Sequence, residues 1–379
     1  MKEVGRFAFT VHPFDVSRIH RRWPITRRLP DTWVEGLMRW KGPVIHAQVP
    51  RLETAGGAAE GWLIGIPLTA RQWTRLPDAF LVERVLQAAR LAARLGARIL
   101  GLGAYTALPG GAGVEVARRS PIAITTGNSL TVWAALEGAR EGARRMGIPL
   151  ERAEVAVIGA SGAIGSACAR ILARSVRHLT LIGRDEARLE RVANQIRQET
   201  GLIPNLSTDI RATLPRMDVV ITVSSTADAI VQPEDLKPGA VVCDVAMPRD
   251  VDQRVAAVRD DVLVVDGGLI HVPGETGLEG DGFPAGTAPA CLAETMLLAL
   301  ERRYEHFTLG RDLSVDQIDE IVRLARKHGF TLAGIRSFHR ALDDATIEAI
   351  RRRAALRRGE RPEGERLEAE RPEAQVRVG

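Results

Sequence analysis

Cysteines and long apolar runs are both scarce in this chain, and each absence excludes a class of protein. Only three cysteines occur among the 379 residues, Cys168, Cys243 and Cys291. This odd, widely spaced set argues against a disulfide framework and predicts a reducing compartment. No stretch reaches the roughly 18 apolar residues that a spanning helix needs, and residues 1–14 lack the apolar segment of a secretory signal. We therefore expect a cytoplasmic protein without a transmembrane segment.

The sequence also lacks the patterns that hold metals or nucleic acids. Its eight histidines are scattered, without an H-x-x-x-H pair or a Cys/His cluster of ligand spacing. The formal charge is +5, but residues 351–379, with nine arginines and six glutamates, contribute +3 of it. No basic stripe is interleaved with aromatic residues. Neither a metal site nor a nucleic-acid partner is predicted.

A glycine-rich turn stands between a predicted strand and a predicted helix. The strand is the apolar run Val155–Ile158, and residues 163–174 have a helical pattern. Backbone N–H groups exposed by glycine, together with the positive end of a helix, form a cradle for a pyrophosphate. The predicted cofactor-binding residues of this turn are Gly159, Ser161, Gly162, Ala163, Ile164 and Gly165.

Two further strand ends are predicted to contact the cofactor. The apolar run Leu179–Ile182 is followed by Arg184, where NAD-binding sites usually carry an acidic residue for the ribose 2′-hydroxyl. An arginine there favours a 2′-phosphate and hence NADPH, although a solvated surface arginine is the simpler alternative. Ser224 and Ser225 follow another apolar run and either contact the cofactor or form an ordinary polar turn.

Regular alternation of strands and helices predicts an α/β fold with a Rossmann-type, doubly wound parallel sheet. Its strands are expected at 155–158, 179–182, 219–223, 240–244 and 262–265. The predicted domains are an N-terminal α/β substrate domain (1–146), the NADP-binding domain (147–286), a C-terminal helical segment (287–350) and a charged, disordered tail (351–379). Residues 16–60, rich in Arg, Pro and Trp, have no clear periodicity and receive no assignment.

Cys291 is the cysteine with a potential for chemistry. Thr287 is predicted to cap a helix that has Pro289 in its first turn, so Cys291 falls near the N-terminus. The helix field there would lower the thiol pKa and favour the nucleophilic thiolate. Glu294, one turn later, would oppose a thiolate. On this evidence Cys291 is either a nucleophile or a structural residue, whereas Cys168 and Cys243 are predicted to be small core residues.

Several segments resemble the long-chain fatty acyl-(acyl carrier protein) reductases best known from cyanobacteria. The resemblance is strongest over roughly 284–330, good over 124–190 and weak in the first 70 residues. The segments that carry it are Ala290–Glu301, His306–Ser314, Lys327–Phe330, Thr125–Ser129 and Gly159–Ser166.

This resemblance implies that Cys291 is the acylated nucleophile of an NADPH-dependent reductase that forms fatty aldehydes. It also implies acyl carrier protein as the acyl donor and an aldehyde-deformylating oxygenase as the downstream partner. Thr125, Thr126 and Asn128 would then line the substrate pocket or cap the helix that follows them. Pro289 and Leu292 replace aromatic residues expected in the family, which leaves acyl-chain length, and the choice of acyl carrier protein or coenzyme A, open.

Two related enzyme groups share the predicted two-domain arrangement, namely shikimate dehydrogenases and glutamyl-tRNA reductases. The segment Cys243–Asp250 resembles the latter group. A shikimate-type enzyme needs a lysine inside its N-terminal domain, where this chain has only Lys2 and Lys41. A glutamyl-tRNA reductase needs an N-terminal nucleophilic cysteine, and none precedes Cys168. A dehydrogenase for another carbonyl and a non-catalytic NADP-binding protein remain the alternatives.

Overall fold

A computed structural model describes residues 3–360 of the chain, apart from 225 and 227. The strands are β1 (Gly5–Val11), β2 (Val44–Thr54), β3 (Gly57–Gly65), β4 (Ile99–Leu102), β5 (Ala123–Thr125), β6 (Glu154–Ile158), β7 (His178–Ile182), β8 (Asn205–Ser207), β9 (Val219–Thr222), β10 (Val241–Asp244), β11 (Leu263–Asp266), β12 (Leu269–His271), β13 (Thr287–Pro289), β14 (Thr331–Leu332), β15 (Arg336–Ser337) and β16 (Arg340–Ala341). The helices are α1 (Val16–Arg22), α2 (Asp31–Met38), α3 (Ala70–Arg75), α4 (Asp78–Arg94), α5 (Pro109–Ala112), α6 (Val114–Arg119), α7 (Asn128–Arg145), α8 (Ala163–Leu172), α9 (Glu186–Thr200), α10 (Ile210–Thr213), α11 (Arg254–Val258), α12 (Ala290–Leu300), α13 (Val315–His328) and α14 (Asp344–Arg357).

Six parallel strands form a sheet in the order β11-β10-β9-β6-β7-β8. Counted along the chain, this is the doubly wound order of a Rossmann fold, so the predicted fold class is confirmed. Each of the five predicted strands is present, with shifts of one residue at some ends. Strand β8 was not predicted, because this short edge strand contains Asn205 and Ser207 and has no apolar run.

The strand order of this sheet reverses between β6 and β9, which are adjacent and parallel. In open α/β sheets a ligand binds beyond the carboxyl ends of the strands at such a switch point. The glycine turn follows β6, and Val223 and Ser224 follow β9. Topology therefore brings two of the predicted cofactor segments to the same edge of the sheet.

A second sheet has the order β2-β3-β1-β4-β5, in which only β2 is antiparallel to its neighbour. Successive side chains of a strand point to opposite faces, and β1 shows this clearly. Phe7 and Phe9 pack with residues of α12, whereas Ala8 packs with residues of α4 such as Val85 and Leu86. A mostly parallel sheet is thus covered by helices on both faces.

Helix α12 is buried on every side. All of its residues except Cys291 are buried, including Glu294. A helix that is apolar all around belongs to the interior of a fold and not to its surface. Helix α12 therefore forms part of the core of the five-stranded sheet, with which Leu297, Leu298 and Ala299 share one hydrophobic cluster.

The chain divides into two compact units that do not follow the predicted consecutive domains. Of the described residues, the first unit comprises those within 3–137, 160–171 and 267–333, and the second comprises those within 138–159, 172–266 and 334–360. The physical reason is the packing of α12, which makes residues 287–333 of the predicted C-terminal segment part of the first unit, whereas residues 334–350 belong to the second. Helix α14 ends at Arg357, and residues 361–379 of the predicted tail lie outside the described residues.

Residues 16–38, which the sequence left unassigned, form α1, a 3₁₀ turn (Pro24–Arg28) and α2. Asp15 caps α1 by accepting a hydrogen bond from the Ser17 N–H at 2.9 Å. The segment has a small apolar cluster of its own, in which Val16, Ile19 and Val34 are buried. Within the described part of the chain, no helix has the length and apolar character required to cross a bilayer.

Candidate functional site

The glycine turn has the local geometry of a nucleotide cradle. Strand β6 ends at Ile158, and Gly159 follows with φ of +79°. A Cβ at Gly159 would lie 3.0 Å from the carbonyl oxygen of Val223, so a side chain is excluded by both conformation and space. The Gly162 carbonyl accepts the Ser166 N–H at 2.9 Å, and α8 begins at Ala163.

The first N–H groups of α8 have no partner within the helix, because the first four amides of any α-helix lack an i−4 carbonyl. They belong to the predicted residues Ala163, Ile164 and Gly165. Such a helix start binds phosphate groups readily. The residues present thus fit a pyrophosphate, and cofactor contacts by this turn, including Ser161, stay predictions.

An arginine and an aspartate follow β7, and their side chains have different surroundings. Arg184 is exposed just beyond the end of the strand. Asp185 is the N-cap of α9, and its carboxylate accepts the Arg188 N–H at 3.1 Å and pairs with the Arg188 side chain. The acidic side chain at this strand end is therefore engaged in helix capping, while Arg184 faces solvent.

A buried aspartate holds the loop after β9. Asp250 is fully buried and accepts hydrogen bonds from the Thr222 hydroxyl, the Ser224 N–H (2.8 Å) and the Ser224 hydroxyl. Both donors of Ser224 thus point to Asp250, and a contact of Ser224 with the cofactor stays a prediction. Ser225, the other predicted residue of this turn, lies outside the described residues.

A second acid, Asp244, lies beside Asp250. It accepts backbone N–H groups from Ala246 (3.0 Å) and Val251 (3.1 Å). Burial, reinforced by the negative charge of Asp250, raises the pKa of Asp244 to about 7. The segment that resembles glutamyl-tRNA reductases therefore contributes two buried acids to the carboxyl edge of the six-stranded sheet.

Cys291 is the second residue of α12 and its only partly exposed one. The predicted position near a helix N-terminus is confirmed, but the predicted cap was wrong. Pro289 is the N-cap, and Thr287 lies in β13, where its hydroxyl donates to the Pro284 carbonyl at 2.7 Å. Thr287 cannot cap α12 because the helix begins at Ala290, three residues later, and β13 continues through Pro289.

The thiol of Cys291 is protonated at neutral pH. Burial, together with the negative charge of Glu294, raises its pKa to about 11. The expectation of a lowered pKa was wrong because desolvation outweighs the helix field. Hydrogen bonds from the backbone of Leu292, Cys291 and Ala104 act in the opposite direction. These backbone groups favour the anionic form of the sulfur.

The segment Thr125–Ser129 lies directly against Cys291. Gly127 has φ of +72°, and a Cβ built there would lie 2.3 Å from the Cα of Cys291. Only glycine allows the two backbones to approach this closely. The predicted pocket segment and the predicted nucleophile are therefore brought together, although 164 residues separate Gly127 from Cys291.

Glu294 links this loop to the helix that carries Cys291. Its Oε1 accepts the hydroxyls of Thr125 (2.5 Å) and Thr308 (2.7 Å), and its Oε2 accepts the Leu130 N–H (2.9 Å) in the first turn of α7. Burial raises its pKa, and these hydrogen bonds counteract the rise. The sequence indicated Glu294 only as an opponent of the thiolate and missed this role.

The hydroxyls of Thr125 and Thr126 donate hydrogen bonds to other groups of the protein. Thr125 donates to Glu294, and Thr126 donates to the Thr308 carbonyl at 3.0 Å. Asn128 is the first residue of α7. Of the two roles expected for this segment, the geometry of Thr125 and Thr126 favours fixing the start of α7.

The other two cysteines lie in hydrophobic cores. Cys168 in α8 and Cys243 in β10 are fully buried, which confirms the prediction made for them. Across residues 3–360, 225 and 227 excepted, His, Cys, Asp and Glu side chains form no group of three or more that could hold a metal ion.

Comparison with known proteins identifies the nucleotide domain. A profile of the shikimate/quinate 5-dehydrogenase family matches residues 141–266, which contain β6 to β11. Together with the doubly wound sheet, this match makes the domain a nicotinamide-nucleotide domain of the NAD(P)-dependent oxidoreductases, as in dehydrogenases and reductases.

Two curated relatives align with larger parts of the chain. The aminotransferase PigE from a Serratia species is 31% identical over 363 residues, covering 92% of this chain and 42% of that protein. A long-chain acyl-[acyl-carrier-protein] reductase from Synechococcus elongatus is 28% identical over 215 residues, covering 54% of this chain and 61% of that protein. The chain thus spans less than two thirds of either relative.

Among solved structures, L-tryptophan dehydrogenase from Nostoc punctiforme is similar to this chain, at 15% identity and a TM-score of 0.40. The match covers 93% of this chain and 88% of the dehydrogenase chain. The nucleotide-binding domain of glutamyl-tRNA reductase from Thermoplasma volcanium is similar at 18% identity and a TM-score of 0.26. This match covers 37% of this chain and 86% of the reductase chain.

Proposed function

We propose that this protein reduces long-chain acyl thioesters to aldehydes with NADPH, through a covalent thioester on Cys291. The similarity to the Synechococcus reductase, whose name states this substrate class, supports the proposal. PigE is named as an aminotransferase, but the matched region is less than half of that protein, so the match does not assign this activity to the chain.

The observation that carries the proposal is the setting of Cys291. It is the one partly exposed residue of an otherwise buried helix, and backbone groups of Cys291, Leu292 and Ala104 act to lower the pKa of its thiol. Cys168 and Cys243, by contrast, are fully buried in apolar cores, as structural cysteines usually are. Amides that stabilise a thiolate are also suited to the oxyanion that develops on an acyl carbon attached to that sulfur.

The proposed reaction has two stages. The Cys291 sulfur, having lost its proton, attacks the thioester carbonyl; the new carbon–sulfur bond forms as the carrier thiolate leaves and takes up a proton. A nicotinamide nucleotide held by the glycine turn after β6 would supply a hydride for the acyl carbon. Collapse of the resulting tetrahedral adduct breaks the bond to Cys291, releases the aldehyde and leaves a thiolate that regains a proton. Backbone N–H groups at Cys291 stabilise the oxyanion in both stages.

NADPH is proposed over NADH because of the residues after β7. Exposed Arg184 can pair with a 2′-phosphate, whereas the neighbouring Asp185 is engaged as the cap of α9. Arg184→Ala should raise the KM for NADPH about ten- to a hundredfold, the value of one or two charge-assisted hydrogen bonds. Its KM for NADH should stay within about twofold of wild type. Equal changes for both cofactors would remove the 2′-phosphate assignment.

The test of the proposed function is intact-protein mass spectrometry. The protein is incubated without NADPH with palmitoyl thioesters of acyl carrier protein and of coenzyme A. Wild type should gain the mass of one acyl group, Cys291→Ala should gain none, and Cys168→Ala serves as the matched control that keeps the adduct. Adding NADPH should discharge the adduct as aldehyde.

The outcomes of this experiment either identify the acyl donor or reject the covalent mechanism. Faster acylation from one carrier identifies the preferred donor, and acyl carrier protein is the proposed one. A wild-type protein that gains no mass from either thioester rejects the covalent mechanism. The NAD(P)-dependent domain would then serve a dehydrogenase for another carbonyl.

A further inference from the structure

The segment 16–41 of the first unit has an exposed apolar ridge, formed by Trp33, Leu37 and Trp40. These residues are spaced by four and three positions, so they lie on one side of α2 and its C-terminal extension. Their exposed fractions are 67%, 54% and 87%, unusually high for side chains of this size. Ile25, in the preceding 3₁₀ turn, is 70% exposed.

The ridge is not needed for the packing of the segment itself. Val34 is fully buried, and Met38, four residues later, packs with it in the cluster that contains Ile19 of α1. Val34 and Met38 therefore occupy a different side of α2 from Trp33 and Leu37. The helix has one apolar side toward its own cluster and a second apolar side toward solvent.

Positive charge surrounds the ridge. Residues 16–41 contain seven basic and two acidic side chains, a net charge of +5 that equals the net charge of the whole chain. Lys41 packs over the ring of Trp23, with its amine 5.0 Å from the ring centroid. All six arginines of the segment are exposed, and they are Arg18, Arg21, Arg22, Arg27, Arg28 and Arg39.

We propose that this ridge binds the surface of an anionic lipid membrane. Tryptophan side chains favour the headgroup level of a bilayer, and arginines beside them are attracted to anionic lipids. Trp40, the most exposed of the three ridge residues, protrudes into solvent as insertion among headgroups requires. The charge of the segment complements such a surface. Binding of this kind places the segment on the membrane and needs no spanning helix.

The test is cosedimentation of the full chain with vesicles, without any acyl substrate. Vesicles of phosphatidylcholine containing about one third phosphatidylglycerol should bind wild type at least about tenfold better than pure phosphatidylcholine vesicles. The double variant Trp33→Ala/Trp40→Ala should lose about tenfold or more of this binding, and Arg27→Glu/Arg28→Glu should do the same.

Matched controls separate this surface from general effects of charge and hydrophobicity. Arg191→Glu/Arg197→Glu makes the same change of charge at two exposed arginines of α9, and Ile203→Ala removes an apolar side chain that is 77% exposed. Both controls should bind vesicles as wild type does. Acyl chains brominated near the headgroup should quench part of the tryptophan fluorescence of wild type and less of that of Trp33→Ala/Trp40→Ala.

Three results would overturn the proposal. The first is equal or absent binding to the two kinds of vesicle, and the second is vesicle binding that the tryptophan substitutions leave unchanged. The third is binding of apo acyl carrier protein that is lost in both ridge variants while vesicles do not bind, which would assign the ridge to an acidic protein. Because no acyl thioester is present, these results are independent of whether Cys291 is acylated.

Discussion

Each unit of this protein has a fully buried acid that holds a loop at the carboxyl end of a strand. In the first unit Glu294 accepts two threonine hydroxyls and one backbone N–H from the region after β5 and from Thr308. In the second unit Asp250 accepts three hydroxyls, from Thr222, Ser224 and Thr226, and the backbone N–H of Ser224 after β9. The two arrangements use the same kinds of donors and differ in the sequence separation between the acid and its partners.

Glu294 contacts Thr125 across 169 residues of sequence, whereas Asp250 contacts Thr222 across 28. Glu294 therefore joins two distant segments of the first unit, and Asp250 supports a loop between neighbouring strands of one sheet. Closing a longer loop costs more conformational entropy. We infer that the Glu294 arrangement maintains the architecture around Cys291, while the Asp250 arrangement shapes one local turn.

The largest effect is expected from Glu294→Ala. It leaves the Thr125 and Thr308 hydroxyls and the Leu130 N–H without their acceptor and opens a cavity, so the free energy of unfolding should fall by about 4–6 kcal/mol. Chemical denaturation measures this loss. Glu294→Gln, which keeps the volume and one acceptor oxygen, should lose less than half as much. Equal losses in both variants would mean that packing, and not hydrogen bonding, is the role of this side chain.

The next effect concerns the pH dependence of stability in the second unit. Between the ordinary aspartate pKa of 3.8 and the raised pKa of about 7, the folded protein retains the Asp244 proton that the unfolded chain releases. The free energy of unfolding should therefore fall by up to about 4 kcal/mol as the pH rises through this range. Denaturation at a series of pH values measures this slope. Asp244→Asn should flatten it, whereas Asp228→Asn, at an exposed carboxylate, should leave it unchanged.

Asp250→Ala should lower the free energy of unfolding by about 2–4 kcal/mol, less than Glu294→Ala. It removes the acceptor of the buried Thr222 hydroxyl, but the Ser224 donors are only partly buried and can bond to water. The same variant should weaken NADPH binding, because the loop after β9 adjoins Gly159. Isothermal titration calorimetry checks this, and unchanged affinity would show that the loop has no part in cofactor binding.

The smallest expected effect concerns the pH dependence of alkylation at the Cys291 thiol. Since its pKa is about 11, alkylation by iodoacetamide should accelerate about tenfold per pH unit near neutrality and show no plateau below about pH 10. Peptide mass spectrometry follows Cys291 separately from Cys168 and Cys243. Glu294→Gln should move the profile to lower pH, because it removes a negative charge near the sulfur. A plateau near pH 7 in wild type would contradict the raised pKa.

The strands of the six-stranded sheet could be predicted because they are apolar runs bounded by glycine or polar turns. Strand β2 could not, because it is an edge strand with exposed Arg51 and Glu53 and with Pro50, and its pairing with β3 contains bulges. The division into units also could not be predicted. It depends on where α12 packs, and local patterns do not contain that information.

In the candidate site, too, some features could be predicted from the sequence and others could not. The position of Cys291 at a helix start follows from local signals such as Pro289, and the glycine turn follows from its spacing. The raised pKa of Cys291 depends on burial by residues distant in sequence, among them Gly127, and could not be inferred locally. The role of Glu294 was missed for the same reason, since its partners are Thr125 at the end of β5, Leu130 in α7 and the distant Thr308.

The complete burial of α12 has a practical consequence for anyone who surveys this protein by random mutagenesis. Every position from Ala290 to Leu300 other than Cys291 is in the core, so loss of activity along this helix will mostly report loss of folded protein. A sensitivity map would show a continuous band of sensitive positions in which Cys291, the proposed nucleophile, would not stand out. Only a chemical label, or variants scored separately for abundance and for turnover, would distinguish Cys291 from its neighbours.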